Sequence, residues 1–181
     1  PMQIAATPRF SGVFAATGAG TCVVRASVPA IGTFTAGTNT LNVPIGQGTP
    51  TVTFGAAPTP NFLSGNFTVN ATTNPGGLTI TYSQVSGPCT LVSAAAGTFS
   101  STGAGTCVVR ATSTATANLV SASTQQNVTI AQASQTIIFG TLANQNVGDP
   151  PFTITITGGA SGNPITFIAG QLEFAQLVVR M

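Results

Sequence analysis

The chain repeats itself with a fixed period, and this feature constrains its fold more than any other. The ten residues Thr17–Ala26, which read TGAGTCVVRA, return unchanged as Thr102–Ala111. Cys22 and Cys107 set the offset at 85 positions. Other landmarks keep the same offset: Gly12 and Gly97, Phe14 and Phe99, Thr51–Gly55 and Thr136–Gly140, Phe67 and Phe152, Ile80–Tyr82 and Ile165–Phe167. A fixed period along a chain is typical of a tandem array of one structural unit.

The composition argues against several function classes. Only 3% of the 181 residues are charged, against roughly 25% in an ordinary globular protein. The net charge of +2 is too small to indicate binding to nucleic acid or to an anionic membrane surface. A hydrophobic fraction of 43% that includes 11 Phe argues against disorder. Apolar residues alternate with Thr, Ser and Asn, and no run of about 20 apolar residues predicts a transmembrane helix.

Short alternating segments, separated by turns rich in Gly, Pro and Asn, predict β-strands throughout. In Thr21–Ala26 the residues Cys22, Val24 and Ala26 share one face, which we expect to point inward because the other face carries Arg25. The other predicted strands are Thr40–Ile45, Thr51–Phe54, Asn66–Thr72, Leu78–Tyr82, Cys89–Ser93, Thr98–Ser101, the strand around Cys107, Asn127–Ile130, Phe152–Thr157 and Ile165–Ile168. Strands at steps of roughly ten residues indicate an all-β protein built from β-sandwiches.

The period divides the chain into one complete unit and two partial ones. Residues 1–50 are the second part of a unit, 51–135 a complete unit and 136–181 the first part of another. A partial sandwich exposes strand edges and an apolar face. We expect the two parts to complete one another between consecutive molecules, a head-to-tail contact that gives open filaments. The alternative is a slice of a longer chain whose adjacent repeats cover these faces.

The apolar tail is a candidate for a donated strand. Its candidate residues are Leu172, Phe174, Leu177 and Val179. The alternative interpretation is an ordinary strand of the third, partial unit.

Two sets of short motifs occur in a fixed order. One set is TIIFG at Thr136–Gly140, GDPPFTIT at Gly148–Thr155 and ITF at Ile165–Phe167. The other is GPCT at Gly87–Thr90, GAGTC at Gly103–Cys107, and then Ala111 and Asn118. Together they resemble the bacterial immunoglobulin-like tandem repeats of large secreted surface proteins, over about Gly12 to Ala169. The resemblance implies immunoglobulin-like sandwiches, often with a disulfide, in arrays that serve as stalks, adhesins or surface fibres.

The three cysteines occupy two positions of the repeat, because Cys22 and Cys107 are 85 residues apart and Cys89 stands elsewhere. Cys89 and Cys107 lie in the complete unit and flank 17 residues. We expect a disulfide between them, which would stabilise the unit by about 3 kcal/mol and would suit an exported protein. Two buried thiols are the alternative. Cys22 has no partner in its own unit, so we expect a small buried residue, with a bond to another copy as the alternative.

The chain offers little for catalysis. It has no His and no Lys, so a Ser or Cys nucleophile lacks its usual activating base. Asp149 lies in a Pro-rich turn, which we expect it to cap, and Glu173 lies in the tail. These two carboxylates and three cysteines make a metal site improbable. We therefore predict no catalytic site, no metal site and no cofactor.

These patterns lead to one functional hypothesis and two alternatives. We expect a non-enzymatic, extracellular repeat protein that serves as a building block of a surface fibre or stalk. Its partners would be its own copies or adjacent repeats of a longer chain, without nucleic acid and without a membrane span. The alternatives are an adhesin that binds carbohydrate or a solid surface, and a β-rich decoration protein of a virus particle. The absence of Trp and the single Tyr argue against stacking on sugars.

Overall fold

The computed structural model of the chain describes residues 10–168, and every regular element in that range is a β-strand. All the ladders between these strands are antiparallel. The chain divides into two compact units, Pro1–Gln132 and Ala133–Met181, which we call the first unit and the second unit. The complete unit of the repeat lies in the first unit, apart from its last residues. The described range has no helix whose length and hydrophobicity would let it cross a membrane. The prediction of an all-β protein is therefore confirmed.

The first unit begins with a long hairpin made of β1 (Gly20–Val28) and β2 (Gly37–Ile45). The two strands pair along their whole length, from Gly20 opposite Ile45 to Val28 opposite Gly37. A bridge between Ile31 and Phe34 closes the connecting loop. This hairpin forms a two-stranded sheet by itself.

Eight further strands make up the rest of the first unit. They are β3 (Thr51–Phe54), β4 (Asn66–Thr68), β5 (Ala71–Asn74), β6 (Ile80–Ser86), β7 (Cys89–Ser93), β8 (Thr98–Ser101), β9 (Gly105–Ser113) and β10 (Ser123–Ile130). They form three small sheets, with the strand orders β3-β5, β4-β8-β7 and β10-β9-β6.

One hydrophobic core joins these small sheets. Its buried members are Phe67, Val69, Tyr82, Cys89, Phe99, Cys107, Val109, Ala111, Val128 and Ile130. The rings of Phe67 and Phe99 stack with their centroids 5.8 Å apart. The core draws on one side from β4, β7 and β8, and on the other from β6, β9 and β10. An arrangement in which two sheets share one core is compatible with a β-sandwich.

Gly97 fixes a close approach inside this core. Its φ of +65° lies in the left-handed region, which favours glycine over residues with a Cβ. A Cβ at this position would also lie 3.1 Å from the Tyr82 ring. The carbonyl oxygen of Gly97 accepts a hydrogen bond of 3.0 Å from the Val69 amide. Gly97 thus lets the chain between β7 and β8 pass directly beneath the Tyr82 ring.

The second unit contains two short strands, β11 (Ile137–Phe139) and β12 (Ile156–Gly158). Its pairing matches that of β3 and β5 when residue numbers are shifted by 85. Ile137 pairs with Gly158 as Val52 pairs with Thr73. The Gly140 amide also donates to the Thr155 carbonyl at 2.8 Å, and the Gly55 amide to the Asn70 carbonyl at 2.9 Å.

The same shift of 85 relates the two long hairpins of the first unit. Cys22 pairs with Val43 in β1–β2, and Cys107 pairs with Val128 in β9–β10. Equal spacing in the sequence is therefore accompanied by equal strand register in the structure. We refer below to residues 85 apart as matched positions.

Three strand predictions were wrong. Asn66–Thr72 was predicted as one strand, but it splits into β4 and β5 because the chain leaves β8 and joins β3 between them. Within Phe152–Thr157 only the last two residues are in a strand, and Ile165–Ile168 form none. The matched segments in the first unit pair with β8 and β9. The described part of the second unit has only β11 and β12, so no such partner strand is present there.

Candidate interaction surface

The hairpin β1–β2 presents an apolar face that its own strands leave uncovered. We call this the hairpin face and define it by Cys22, Val24, Leu41, Val43 and Ile45. Cys22 lies opposite Val43 and Val24 opposite Leu41, so these side chains share one side of the ribbon. Leu41 is 64% exposed and Val43 is 39% exposed. A two-stranded hairpin is marginally stable in water without packing on one face.

The matched face of β9–β10 lies in the core. Cys107, Val109 and Val128 are fully buried there, and Ile130 is 1% exposed. The same contrast holds outside the strands, because Phe14 is 69% exposed whereas its match, Phe99, is fully buried. Side chains of the same kind, in ladders of the same register, are therefore buried in one hairpin and half-buried or exposed in the other.

The second unit has a corresponding exposed surface. We call it the second face and define it by Phe139, Phe152, Ile154, Ile156 and Phe167. Phe139 and Ile156 lie opposite one another in the β11–β12 ladder. Phe152 is 47% exposed, whereas Phe67 at the matched position is 6% exposed. Ile154 and Phe167 are likewise exposed, and their matches Val69 and Tyr82 are buried.

The two faces carry different parts of one core. Except for Leu41, which matches the polar Gln126, positions on the hairpin face match core residues of β9 and β10. Positions on the second face match residues of the segment from Phe54 to Tyr82. The sequence signalled this in advance, because the period assigns each partial unit a different set of strands.

The cysteines are arranged as follows. Cys89 of β7 and Cys107 of β9 form a disulfide, with their Cα atoms 5.8 Å apart. Both residues are buried in the core. Cys22 is a free, half-buried thiol on the hairpin face. It is more exposed than the small buried residue that the sequence analysis expected, because no third strand covers β1 within residues 10–168.

A joint between the hairpin and the rest of the first unit escaped the sequence analysis. The Gly48 amide donates to the Asn118 carbonyl at 2.9 Å, and the Val120 amide donates to the Gly48 carbonyl at 3.0 Å. The Asn118 side chain accepts from the Ala19 amide at 2.9 Å. Gln47 Nε2 donates to the carbonyls of Thr116 and Ala117 at 2.9 and 3.1 Å. The segment that follows β2 is thus hydrogen-bonded to the loop between β9 and β10. The one sign of this joint in the sequence was Asn118, which stands in a loop rich in Thr, Ser and Ala.

Of the remaining candidate residues, only Asp149 lies within residues 10–168. Asp149 Oδ2 accepts a hydrogen bond of 2.7 Å from the Asn146 amide, so the predicted cap on this turn is present. Among residues 10–168 no three His, Cys, Asp or Glu side chains converge in a way that could hold a metal ion. Glu173 and the candidate donated strand residues Leu172, Phe174, Leu177 and Val179 lie outside the described residues.

Comparisons of the chain with protein-family models, with curated proteins and with solved structures gave no significant match.

Proposed function

We propose that this chain is a structural repeat protein whose copies join head to tail. At each contact, β-strands of the partial units of two consecutive copies together complete one unit. The hairpin face of one copy would be covered by the second face of the next. A contact between two different surfaces of the same molecule produces an open chain of subunits unless its rotation closes a ring. The product would be a fibre or stalk.

The observation that carries this proposal is the contrast in burial at matched positions. Phe99, Val109 and Val128 are fully buried in the complete unit, while Phe14 and Val43 on the hairpin side are exposed. Burying one such side chain fully contributes roughly 1.5–3 kcal/mol. Several partly exposed apolar residues on each face therefore supply a driving force for association.

A second copy of the chain is the partner that best fits the hairpin face, because the two faces supply complementary parts of one core. The hairpin side offers the matches of Phe99, Cys107, Val109, Val128 and Ile130. The second face offers the matches of Phe54, Phe67, Val69, Ala71 and Tyr82. In residues 51–132 the matched residues of these two sets pack against one another in one core, which is the arrangement we propose between copies.

Two further observations support a fibre outside the cytoplasm. The Cys89–Cys107 disulfide is typical of proteins in oxidising environments. A chain with 3% charged residues has weak electrostatic protection against self-association. We extend the proposal to the family that the motifs resemble, the bacterial immunoglobulin-like repeats of surface proteins, with each unit an immunoglobulin-like sandwich and without enzymatic activity.

The test compares two aspartate variants of neighbouring residues on β1. Val24 belongs to the hairpin face, and Val23 points to the opposite side of the ribbon and is 62% exposed. The 181-residue chain should form polymers that grow with concentration, seen by light scattering and electron microscopy. Val24→Asp should abolish them, because it would place a charge in a closed interface, and Val23→Asp should leave them intact.

The only tyrosine, Tyr82, lies in the core of residues 51–132, so its near-ultraviolet circular dichroism reports whether that unit stays folded. If Val24→Asp perturbs this signal, Phe14→Asp replaces it, since Phe14 lies outside the ladders. A wild-type chain that remains monomeric at all concentrations would contradict the proposal. Equal loss of polymers in both aspartate variants would also count against it. Monomers that instead bind crystalline polysaccharide would favour the adhesin alternative.

A further inference from the structure

The complete unit specifies how a third strand joins its long hairpin. In the sheet β10-β9-β6, strand β6 lies along the edge of β9 that faces away from β10. Ile80 pairs with Ser113, Thr81 with Thr112, Tyr82 with Ala111 and Ser83 with Arg110. This stretch is regular, since the first irregularity comes after Gln84.

Strand β1, the match of β9, has β2 as its one neighbour among the described residues. Its other edge carries backbone N–H and C=O groups with no ladder partner in residues 10–168. Such an edge is a template for pairing with another chain. The identical register of β1–β2 and β9–β10 means that this edge presents its groups with the same spacing as the edge of β9.

The segment that matches the start of β6 is Ile165–Ile168, in the second unit. It belongs to no ladder, and its Phe167 is 41% exposed. Its pattern alternates in the same way as β6, because Ile165 and Phe167 stand where the inward-facing Ile80 and Tyr82 stand. The segment is therefore an unpaired counterpart of β6.

From this geometry, and resting on the head-to-tail assembly proposed above, we propose that residues 165–168 of one copy add to the open edge of β1 in the next copy, antiparallel and in the register of β6 on β9. The resulting pairs are Ile165 with Val28, Thr166 with Ser27, Phe167 with Ala26 and Ile168 with Arg25.

The pairing places Phe167 where Tyr82 lies in the complete unit. The Tyr82 ring lies over Gly97, where a Cβ would come within 3.1 Å, and Gly12 is the match of Gly97. The repeat thus has a glycine at the position that lies beneath the Tyr82 ring in the complete unit. The β1 backbone supplies hydrogen bonds, and alternate side chains supply specificity, as in other cases of strand addition.

Paired cysteines test this register. In a Cys22→Ser background, the variant Thr166→Cys with Ser27→Cys places two thiols directly opposite one another across the proposed ladder. Opposite residues in an antiparallel pair have Cα atoms about 4.5–5.5 Å apart, within disulfide range. The matched control is Thr166→Cys with Arg25→Cys, two residues along the same face, where diagonal neighbours lie about 7–8 Å apart. Mild oxidation should give a ladder of covalent multimers for the first variant, and the ladder should be lost for the second.

Light scattering before oxidation separates the two hypotheses. Polymers that form but crosslink through Arg25→Cys, or through neither pair, overturn the register and leave head-to-tail assembly standing. The absence of polymers in the unoxidised wild-type chain overturns the assembly itself. A crosslink confined to single chains, seen as a faster monomer band on a non-reducing gel, overturns both.

Discussion

Cys22 and Cys107 show how one residue type takes on different states at matched positions. Both lie in the third pair from the open end of a hairpin, and the two hairpins have the same register. Cys107 is fully buried and bonded to Cys89, whereas Cys22 is free and half-buried. The difference follows from the strands around them, because β9 has β6 on its far edge and a second sheet above it.

The thiol of Cys22 should therefore report assembly. At concentrations where polymers form, we expect a soluble maleimide to label it roughly 10-fold more slowly than after dilution to monomers, because reaction then requires local opening of the interface. The measurement is the labelling rate by mass spectrometry, with one reactive thiol per chain in the oxidised protein.

A thiol on the other side of the same strand provides the control. In the variant Cys22→Ser with Val23→Cys, the new thiol faces away from the interface and should react at the same rate at both concentrations. A labelling rate of Cys22 that is also independent of concentration, in samples that contain polymers, would mean that the hairpin face remains accessible to solvent in the polymers.

At the scale of elements, the disulfide holds β7 against β9. These strands belong to the different sheets β4-β8-β7 and β10-β9-β6, so the bond ties together the two sides of the core. The cysteines are 18 positions apart in the chain, so the bond closes a short loop and limits the freedom of the unfolded chain.

Removing this bond should destabilise the complete unit by about 3 kcal/mol, as expected for a loop of this length. The change is Cys89→Ala with Cys107→Ala, and the measurement is urea unfolding followed by the fluorescence of Tyr82. Cys22→Ser is the matched control and should leave the midpoint unchanged in the monomer. Equal midpoints for the double variant and the wild type would show that packing alone holds the two sheets.

The sequence predicted the strands better than it predicted their partners. Alternation located β1 and β3 well, since each of them has an apolar face in a regular period of two. It failed at Asn66–Thr72, because the switch at Val69 from one sheet to another leaves no mark in the alternation. It failed at Ile165–Ile168 for another reason: a strand needs a partner, and residues 10–168 hold none for this segment.

Only part of the candidate surface could be predicted from the sequence. The period of 85 shows which core residues each partial unit carries, so the exposure of Phe14 and Phe152 could be anticipated. The hydrogen bonds of Gln47 and Asn118 could not, because they depend on where the loop between β9 and β10 folds in space.

At the scale of the whole molecule, the hydrogen bonds of Gln47 and Asn118 hold the hairpin against the rest of the first unit. Three hydrogen bonds from two side chains reinforce the backbone pairing of Gly48 with residues 118–120. Bonds of this kind contribute about 1 kcal/mol each. The hairpin is thus attached to the rest of the first unit by hydrogen bonds as well as by the chain itself.

The variant Gln47→Ala with Asn118→Ala should loosen the joint. We expect hydrogen exchange at the amides of Gly48 and Val120 to accelerate roughly 10-fold or more, because about 2–3 kcal/mol of reinforcement is lost. Gln145→Ala removes a similar side-chain bond within one loop, from Gln145 Nε2 to the Ala143 carbonyl, and should leave both amides unaffected. Rapid exchange of these amides already in the wild type would mean that the joint opens freely in solution.

The bond between Cys89 and Cys107 also has a mechanical meaning. If the molecule is pulled from both ends, the 17 residues between these cysteines cannot be drawn out. At about 3.4 Å per residue, a unit that gives way under tension lengthens by roughly 60 Å less than its reduced form would. Under load, the oxidised chain therefore lengthens less before the neighbouring molecules must bear the force.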